Sequence, residues 1–454
     1  MHLIPMELRE TFNSRVTIPL QWRQHQSLQA ARMLQENYEG FILKVGPQQS
    51  TGFEVYLAEI NSFMECAVLT TAQQLPEWAK VENREDYIKK EHQMSWKLRV
   101  YSEPKGVGLC TWSLLTLTQP MELPTYPLPP TIPRSHHCRI CCIIKPSEVP
   151  AHYANVLAEL VPKYFNQSAF HMVLGAVSKT TQLLKLKWDH IFYTGNGTVT
   201  CIITVAARHL TPVTLKLAGK SPVIIGPNFN SPNTCGGDSL SGLLLVAKRI
   251  FWGKTSNAGQ ICVAPDYILL VTGNKGAGNV NGTENGSMNG HKTKEESEEG
   301  FKQASRESFL SDQPGPLSDS SPSYPKIINF THFSCLSSLF SRSRGRIVCD
   351  GESNERTCRL EPTVLFDVVE DGSFMQGENF GPVLPVLEVV TVEDAIEFVR
   401  SEEGRWRASL CIVDDGEFKQ KGLLADWMLF RCGSICSDEL LEHANLHWRM
   451  ASVG

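Results

Sequence analysis

Short apolar runs closed by Gly, Pro or Ser recur along the chain: "CCIIKPSE" (141–148), "HMVLGAV" (171–177), "HIFYTGN" (190–196) and "SPVIIGP" (221–227). Helix-like stretches such as "YANVLAELVPKYF" (153–165) separate them. Strands that alternate with helices predict an α/β fold built on a parallel sheet of the doubly wound kind. At 454 residues the chain is long for a single core, and the length predicts roughly two to four domains. A hydrophobic content of 42%, a charged content of 20% and a net charge of -5 carry no electrostatic footprint for nucleic acid, so function has to come from local sites.

Other segments set the organisation. Leu28, Ala31, Leu34, Tyr38, Phe41 and Ile42 recur at three- and four-residue steps, which predicts a core-packing helix over about Leu20 to Val45. In "SWKLRVYSEP", Trp96, Leu98 and Val100 alternate with polar neighbours as in a half-buried strand. From Gly273 to about Ser323 the chain turns Gly-, Asn-, Glu- and Lys-rich with little to bury, and a disordered insertion over 273–323 is expected. The N-terminus carries charges where a signal peptide needs an apolar run, and no 18-residue apolar stretch occurs, so the chain reads as cytoplasmic, without a transmembrane segment and with reduced thiols. His136, His137, Cys138 and Cys141 include one Cys-x-x-Cys, but a second paired motif is missing, and no metal site is expected.

Cys262 lies in "TSNAGQICVAPDYILL", between a turn-prone approach and a proline exit. Among 14 cysteines it is either a nucleophile or one more buried thiol. "KPSEVPAHYANVLAELVPKYF", "ARHLTPVTLKLAGKSPVII", "AKRIFWGKTSNAGQICVAPDYILL" and "MQGENFGPVLPVLEVVTVEDAIEFV" stand in an order and spacing that resemble aldehyde dehydrogenases, specifically the class-three branch acting on fatty and aromatic aldehydes. The resemblance runs from the "WRQHQSLQAARMLQE" helix to "GSICSDELL" and puts Cys262 at the family's nucleophile.

The resemblance implies a Rossmann-type NAD(P)-binding domain over 1–210 with a remnant of an oligomerisation arm near 95–103. A catalytic α/β domain over 211–425, interrupted by the insertion, and a shortened C-terminal segment over 426–454 would follow. It implies oxidation of an apolar medium- or long-chain or aromatic aldehyde to a carboxylic acid, with NAD or NADP, in a homodimer. The reaction needs a thiolate to form a thiohemiacetal, an oxyanion donor, a hydride acceptor, and a base that activates water against the resulting thioester. By resemblance, Thr194, Gly195, Asn196 and Gly197 lie beside the cofactor, with Thr200 where a further glycine is usual. Lys145 and Glu148 match contacts to the adenosine ribose, Glu378 the contact to the nicotinamide ribose, and Phe380 a packing partner of the cofactor.

Three departures stand beside these matches. Lys216 replaces the catalytic glutamate, since "LKLAGKSP" stands where the family has "LELGGKSP". An ammonium there could hold the Cys262 sulfur as thiolate while leaving deacylation without its usual base, a task Glu378 could take over. Ser113, next to Trp112, occupies the place of the oxyanion-holding asparagine. The final "HWRMASVG" stands where a glycine-rich block is usual. The catalytic set is therefore Cys262, Lys216, Ser113 and Glu378. The alternatives are an impaired paralogue serving as a nucleotide- or protein-binding module, and ester hydrolysis at Cys262 that needs no hydride acceptor.

Overall fold

The structure is a computed structural model that describes residues 3–37, 70–83, 98–101, 104–112, 140–195, 199–217, 219–226, 239–261, 264–272, 294–295, 297–303, 324–349, 351–401, 410–413 and 435–436. Two compact units divide the chain: 1–48 with 56–217, and 49–55 with 218–454.

In the first unit, β1 (Glu82–Asn83) and β2 (Arg99–Val100) form a small antiparallel pair. The main sheet contains β3 (Gly106–Trp112), β4 (Ile140–Lys145), β5 (Phe170–Met172), β6 (His190–Gly195) and β7 (Val213–Leu217), all parallel, in the order β5-β4-β3-β6-β7. Numbered from β3, this is the 3-2-1-4-5 order of a doubly wound nucleotide-binding sheet, with the reversal between β3 and β6. Leu109, Cys142, Ile143, Leu183 and Trp188 are buried in its core, and the helix Leu3–Asn13 adds Leu8. Burial of each such large apolar side chain contributes about 1.5–3 kcal/mol.

In the second unit, β8 (Pro222–Ile225), β9 (Tyr267–Val271), β10 (Arg346–Cys349), β13 (Thr363–Phe366), β14 (Val383–Val389), β15 (Leu410–Val413) and β16 (Ile435–Cys436) make a seven-stranded sheet. The order is β10-β13-β14-β9-β8-β15-β16, parallel except for the edge strand β10. The remaining strands, β11 (Ser353–Asn354) and β12 (Arg359–Leu360), pair separately. Every residue of β9, "YILLV", is buried, as a central parallel strand covered on both faces demands. Ile224, Leu269 and Leu387 face one core cluster, while Val223, Ile268 and Val386 face the other.

Several sequence expectations need correction. The first long helix runs Leu20–Glu36 and ends at Asn37, whose amide donates back to the Met33 carbonyl. Its buried face is Gln26, Ser27, Ala30, Met33 and Leu34, whereas Leu28 is 48% exposed. Polar Gln26 belongs to that face because its Oε1 accepts from the Asn166 backbone N–H at 3.1 Å. Tyr38, Phe41 and Ile42 lie outside the described residues. Leu98 and Val100 are exposed, so the alternation read as a half-buried strand belongs to the exposed pair β1–β2. Residues 294–295 and 297–303 are helical, inside the stretch expected to be wholly disordered. They dock because Phe301 is 1% exposed against the Phe366 ring, 6.5 Å between centroids, and because Lys294 pairs with Asp367 and Glu388 and Glu298 with Arg346. The division between the two units falls at 217/218, and β7 hydrogen-bonds to β6 in the first.

Candidate active site

In the first unit, strand register collects the expected cofactor residues at one edge. Thr111 stands opposite Lys145, Trp112 opposite Thr194, Thr194 opposite Lys216 and Gly195 opposite Leu217. These positions are the carboxyl ends of β3, β4, β6 and β7, and the β3–β6 reversal is where a doubly wound sheet opens a crevice for a nucleotide. Lys145 is only 2% exposed, and its Nζ donates to Glu148 Oε2 at 2.9 Å. Burial pushes the Glu148 carboxyl up, but the hydrogen bond and charge of Lys145 outweigh it and hold the group below its ordinary range. After Gly195 the helix Val199–Ala207 begins within a few residues. A strand end at the reversal, a helix that begins four residues after it and a buried ammonium fit the pyrophosphate and ribose of a dinucleotide. Asn196, Gly197 and Ser113 lie outside the described residues, and of Lys216 only the backbone in β7 is described.

In the second unit, the segment before Cys262 has an unusual backbone. The helix Ser239–Thr255 gives way to a single turn, Ser256–Gly259, in which Asn257, Ala258 and Gly259 have φ of 51°, 51° and 71°. Asn and Gly tolerate the left-handed region, but for Ala258 it costs of order 1–3 kcal/mol, which the surroundings must offset. Buried Gln260 does much of this. Its Nε2 donates to the carbonyls of Asn257 (3.1 Å) and Lys326 (3.2 Å), its Oε1 accepts from Ile328 N–H at 2.9 Å, and Asn257 Nδ2 donates to the Gln260 carbonyl at 3.1 Å. Cys262 itself lies outside the described residues; Ile261 and Ala264 flank it.

The turn carrying Glu378 meets this segment. A Cβ on Gly259 would lie 2.1 Å from the Gly381 carbonyl oxygen, so the two backbones touch where only glycine fits. Asn379 is anchored twice, its backbone N–H donating to Asp266 Oδ1 at 2.9 Å and its Nδ2 to the Asp266 carbonyl at 3.2 Å. Phe380 has φ 45°, and its carbonyl is 2.7 Å from His332 Nε2, an imidazole whose pKa burial lowers against the pull of that hydrogen bond. His332 sits in the first turn of the helix Phe330–Arg342, capped by Asn329.

Burial, followed by the charge of Asp266, pushes the Glu378 carboxyl up to about 8, with Lys254 pulling the other way. Burial lowers the Lys254 ammonium to about 8 against the pull of Asp266 and Glu378. Asp266, Asn379, Gln260 and His332 brace the segments that carry Cys262 and Glu378, and motif reading did not single them out. Their side chains carry no local pattern, and the stretches "WGKTSNAGQ" and "APDY" around the cysteine were the available signal.

Cys141 and Cys142 are buried free thiols in β4, and burial pushes Cys141 up to about 11. His136, His137 and Cys138 lie outside the described residues. Among the described residues, no helix is long and apolar enough to cross a membrane.

The model of the aldehyde dehydrogenase family matches residues 58–275 and 327–417. Mouse aldehyde dehydrogenase family 3 member B2 is 35% identical over 404 residues, covering 87% of this chain and 73% of that protein. The rat dimeric NADP-preferring aldehyde dehydrogenase is 31% identical over 443 residues, covering 96% and 84%. Among solved structures, the substrate-bound Staphylococcus aureus AldH superposes with a TM-score of 0.76 at 25% identity, covering 96% of this chain and 84% of that one.

Proposed function

The chain belongs to the aldehyde dehydrogenase family, and on that premise we propose that it oxidises an aldehyde to a carboxylic acid through a thiohemiacetal and a thioester on Cys262, with Glu378 activating the hydrolytic water. The observation that carries this reading is the backbone contact of Gly259 with Gly381, which fastens the segment three residues before Cys262 to the segment three residues after Glu378. When bound, NAD or NADP supplies the hydride acceptor. Lys145, Glu148, Thr194, Gly195, Asn196 and Gly197 would hold its adenosine and pyrophosphate, while Glu378 and Phe380 would contact the nicotinamide end. Ser113 donates to the oxyanion in place of an amide. Lys216, which by resemblance takes the place of the family's catalytic glutamate, favours the thiolate of Cys262 and cannot serve as base while protonated.

In deacylation, water adds to the thioester carbonyl as its proton passes to the Glu378 carboxylate; the C–S bond then breaks, and its electron pair returns to sulfur. A carboxyl pushed up to about 8 is matched to this task near neutrality, and turnover should rise with pH through about 8. Likeness to the class-three branch supports apolar medium- or long-chain or aromatic aldehydes as substrates. It also supports a homodimer, and the free thiols of Cys110, Cys141 and Cys142 suit the cytoplasm.

Rapid mixing with NAD or NADP and a medium-chain aldehyde tests the reading, with reduced nicotinamide followed by absorbance. The expected result is a burst of about one equivalent that Cys262→Ala abolishes, followed by slower turnover. Glu378→Gln should keep the burst and lower the steady rate by about 100-fold. Folded protein with no burst would overturn the assignment in favour of a binding module. Cys262-dependent ester turnover without nicotinamide, in the absence of any burst, would favour hydrolysis.

A further inference from the structure

The turn that carries Glu378 is fastened on both sides, and the fastening runs through "GKSP" (219–222), a block whose lysine has no part in the chemistry above. Lys220 is 2% exposed and lies just before β8. Its Nζ donates to the Met375 carbonyl at 2.6 Å and sits 4.5 Å from the centroid of the Tyr267 ring, which packs edge-on against Phe398 at 5.9 Å. On the other side of Glu378, Asn379 is held by its two hydrogen bonds to Asp266, and the Asp266 backbone N–H donates to the carbonyl of Ser221, the residue after Lys220, at 2.8 Å. Pro222 stands opposite Tyr267 where β8 and β9 pair, so both ties lead back to the same strand ends. Between the ties, Gln376 and Gly377 are exposed, and a Cβ on Gly377 would have nothing within 4 Å. Packing therefore does little to place the backbone just before Glu378, and the two ties place it instead.

A buried ammonium is costly, and an apolar side chain of similar length would fill the same space without that cost. A charged donor to a carbonyl, with its charge over an aromatic face, makes a stronger and more directional tie than a neutral side chain can. Resting on the reading of Glu378 as the base of deacylation, we propose that Lys220 is a positioning residue for that step: its ammonium, set between the Tyr267 ring and the Met375 carbonyl, fixes the turn so that the Glu378 carboxyl stays where it can activate the hydrolytic water. Lys220 touches neither substrate nor cofactor in this role and acts through the backbone of Met375. A base misplaced by about 1 Å loses up to about 100-fold in rate. Deacylation then depends on Lys220, whereas formation of the thioester needs no base from this turn.

The test follows one ratio, steady-state turnover divided by burst amplitude, in Lys220→Met. The variant should keep a burst of reduced nicotinamide, while the ratio falls about 10- to 100-fold. A lysine that only stabilised the fold would lower burst and turnover together and leave the ratio unchanged. An independent readout is hydrogen exchange of the Asn379 amide in protein without aldehyde or nucleotide. Loosening the turn at Met375 should speed that exchange by about tenfold, with the Leu269 amide in β9 unchanged as reference. If Lys220→Met does not fold, Lys220→Gln is measured in the same way. An unchanged ratio or an unchanged Asn379 exchange in a folded variant overturns the proposal, as does equal acceleration at Asn379 and Leu269, the mark of global destabilisation. A Glu378→Gln variant that turns over normally overturns instead the assignment of Glu378 as base, and Asn379 exchange alone then decides whether Lys220 holds the turn.

Discussion

Glu378 and Lys254 make the stability of the second unit depend on pH in opposite senses. A carboxyl raised from 4.5 to about 8 binds its proton more tightly in the folded chain, so its contribution is complete below about 4.5 and is lost as pH climbs through about 8. An ammonium lowered from 10.5 to about 8 contributes above about 10.5, and its contribution is lost as pH falls through about 8. Together they put a local minimum of stability near pH 8. Glu378→Gln removes the first component, so urea unfolding of the variant should lack the decline that the parent shows between about pH 5 and 8. Parallel declines in both proteins would count against a strained carboxyl. None of this was legible in the sequence, where Lys254 and Asp266 are charged residues beside a cysteine motif. A burial-shifted acid exists only once distant segments close around it.

At the scale of elements, the strands were legible because each is a short apolar run stopped by Gly, Pro or Ser. β6 and β8 fall within the quoted runs, and β4 and β5 overlap theirs, each starting one residue earlier. The face of Leu20–Glu36 was not, because a polar side chain with a long-range backbone partner, Gln26, takes a place that periodicity assigned to Leu28. The helical residues 297–303 were missed for a related reason: one buried aromatic, Phe301, anchors a stretch whose composition is otherwise polar. The relative weight of burial and ion pairs in that docking can be measured. Phe301→Ala removes a fully buried ring and should cost about 3–5 kcal/mol. Arg346→Ala removes a half-exposed partner of Glu298 and Asp367 and should cost no more than about 1 kcal/mol. Chemical denaturation of both variants gives the comparison, and equal losses would mean that the ion pairs carry the docking.

For the whole molecule, the division at 217/218 splits the candidate residues between two units, with proposed cofactor and catalytic roles in each. Lys145, Glu148, Thr194 and Gly195 belong to the first unit, and Gln260, Glu378 and Phe380 to the second. The α/β class was readable from the alternation of strands and helices and the Cys262 and "ENFGP" blocks only through family resemblance, while the assignment of β7 to the first unit follows its pairing across the sheet, which spacing does not encode. The division has a thermodynamic consequence. A chain with two compact units need not unfold in one step, and a ligand stabilises whichever unit holds it, by about 2.7 kcal/mol at one hundred times its dissociation constant. On the proposal that Lys145 and Glu148 hold the adenosine end, saturating NAD or NADP should raise the calorimetric transition of the first unit. Lys145→Ala removes the buried ammonium opposite Glu148 and should shrink that rise while leaving the second unit's transition in place. A nucleotide-induced shift that survives Lys145→Ala undiminished would place the adenosine contacts elsewhere on the β3–β6 edge.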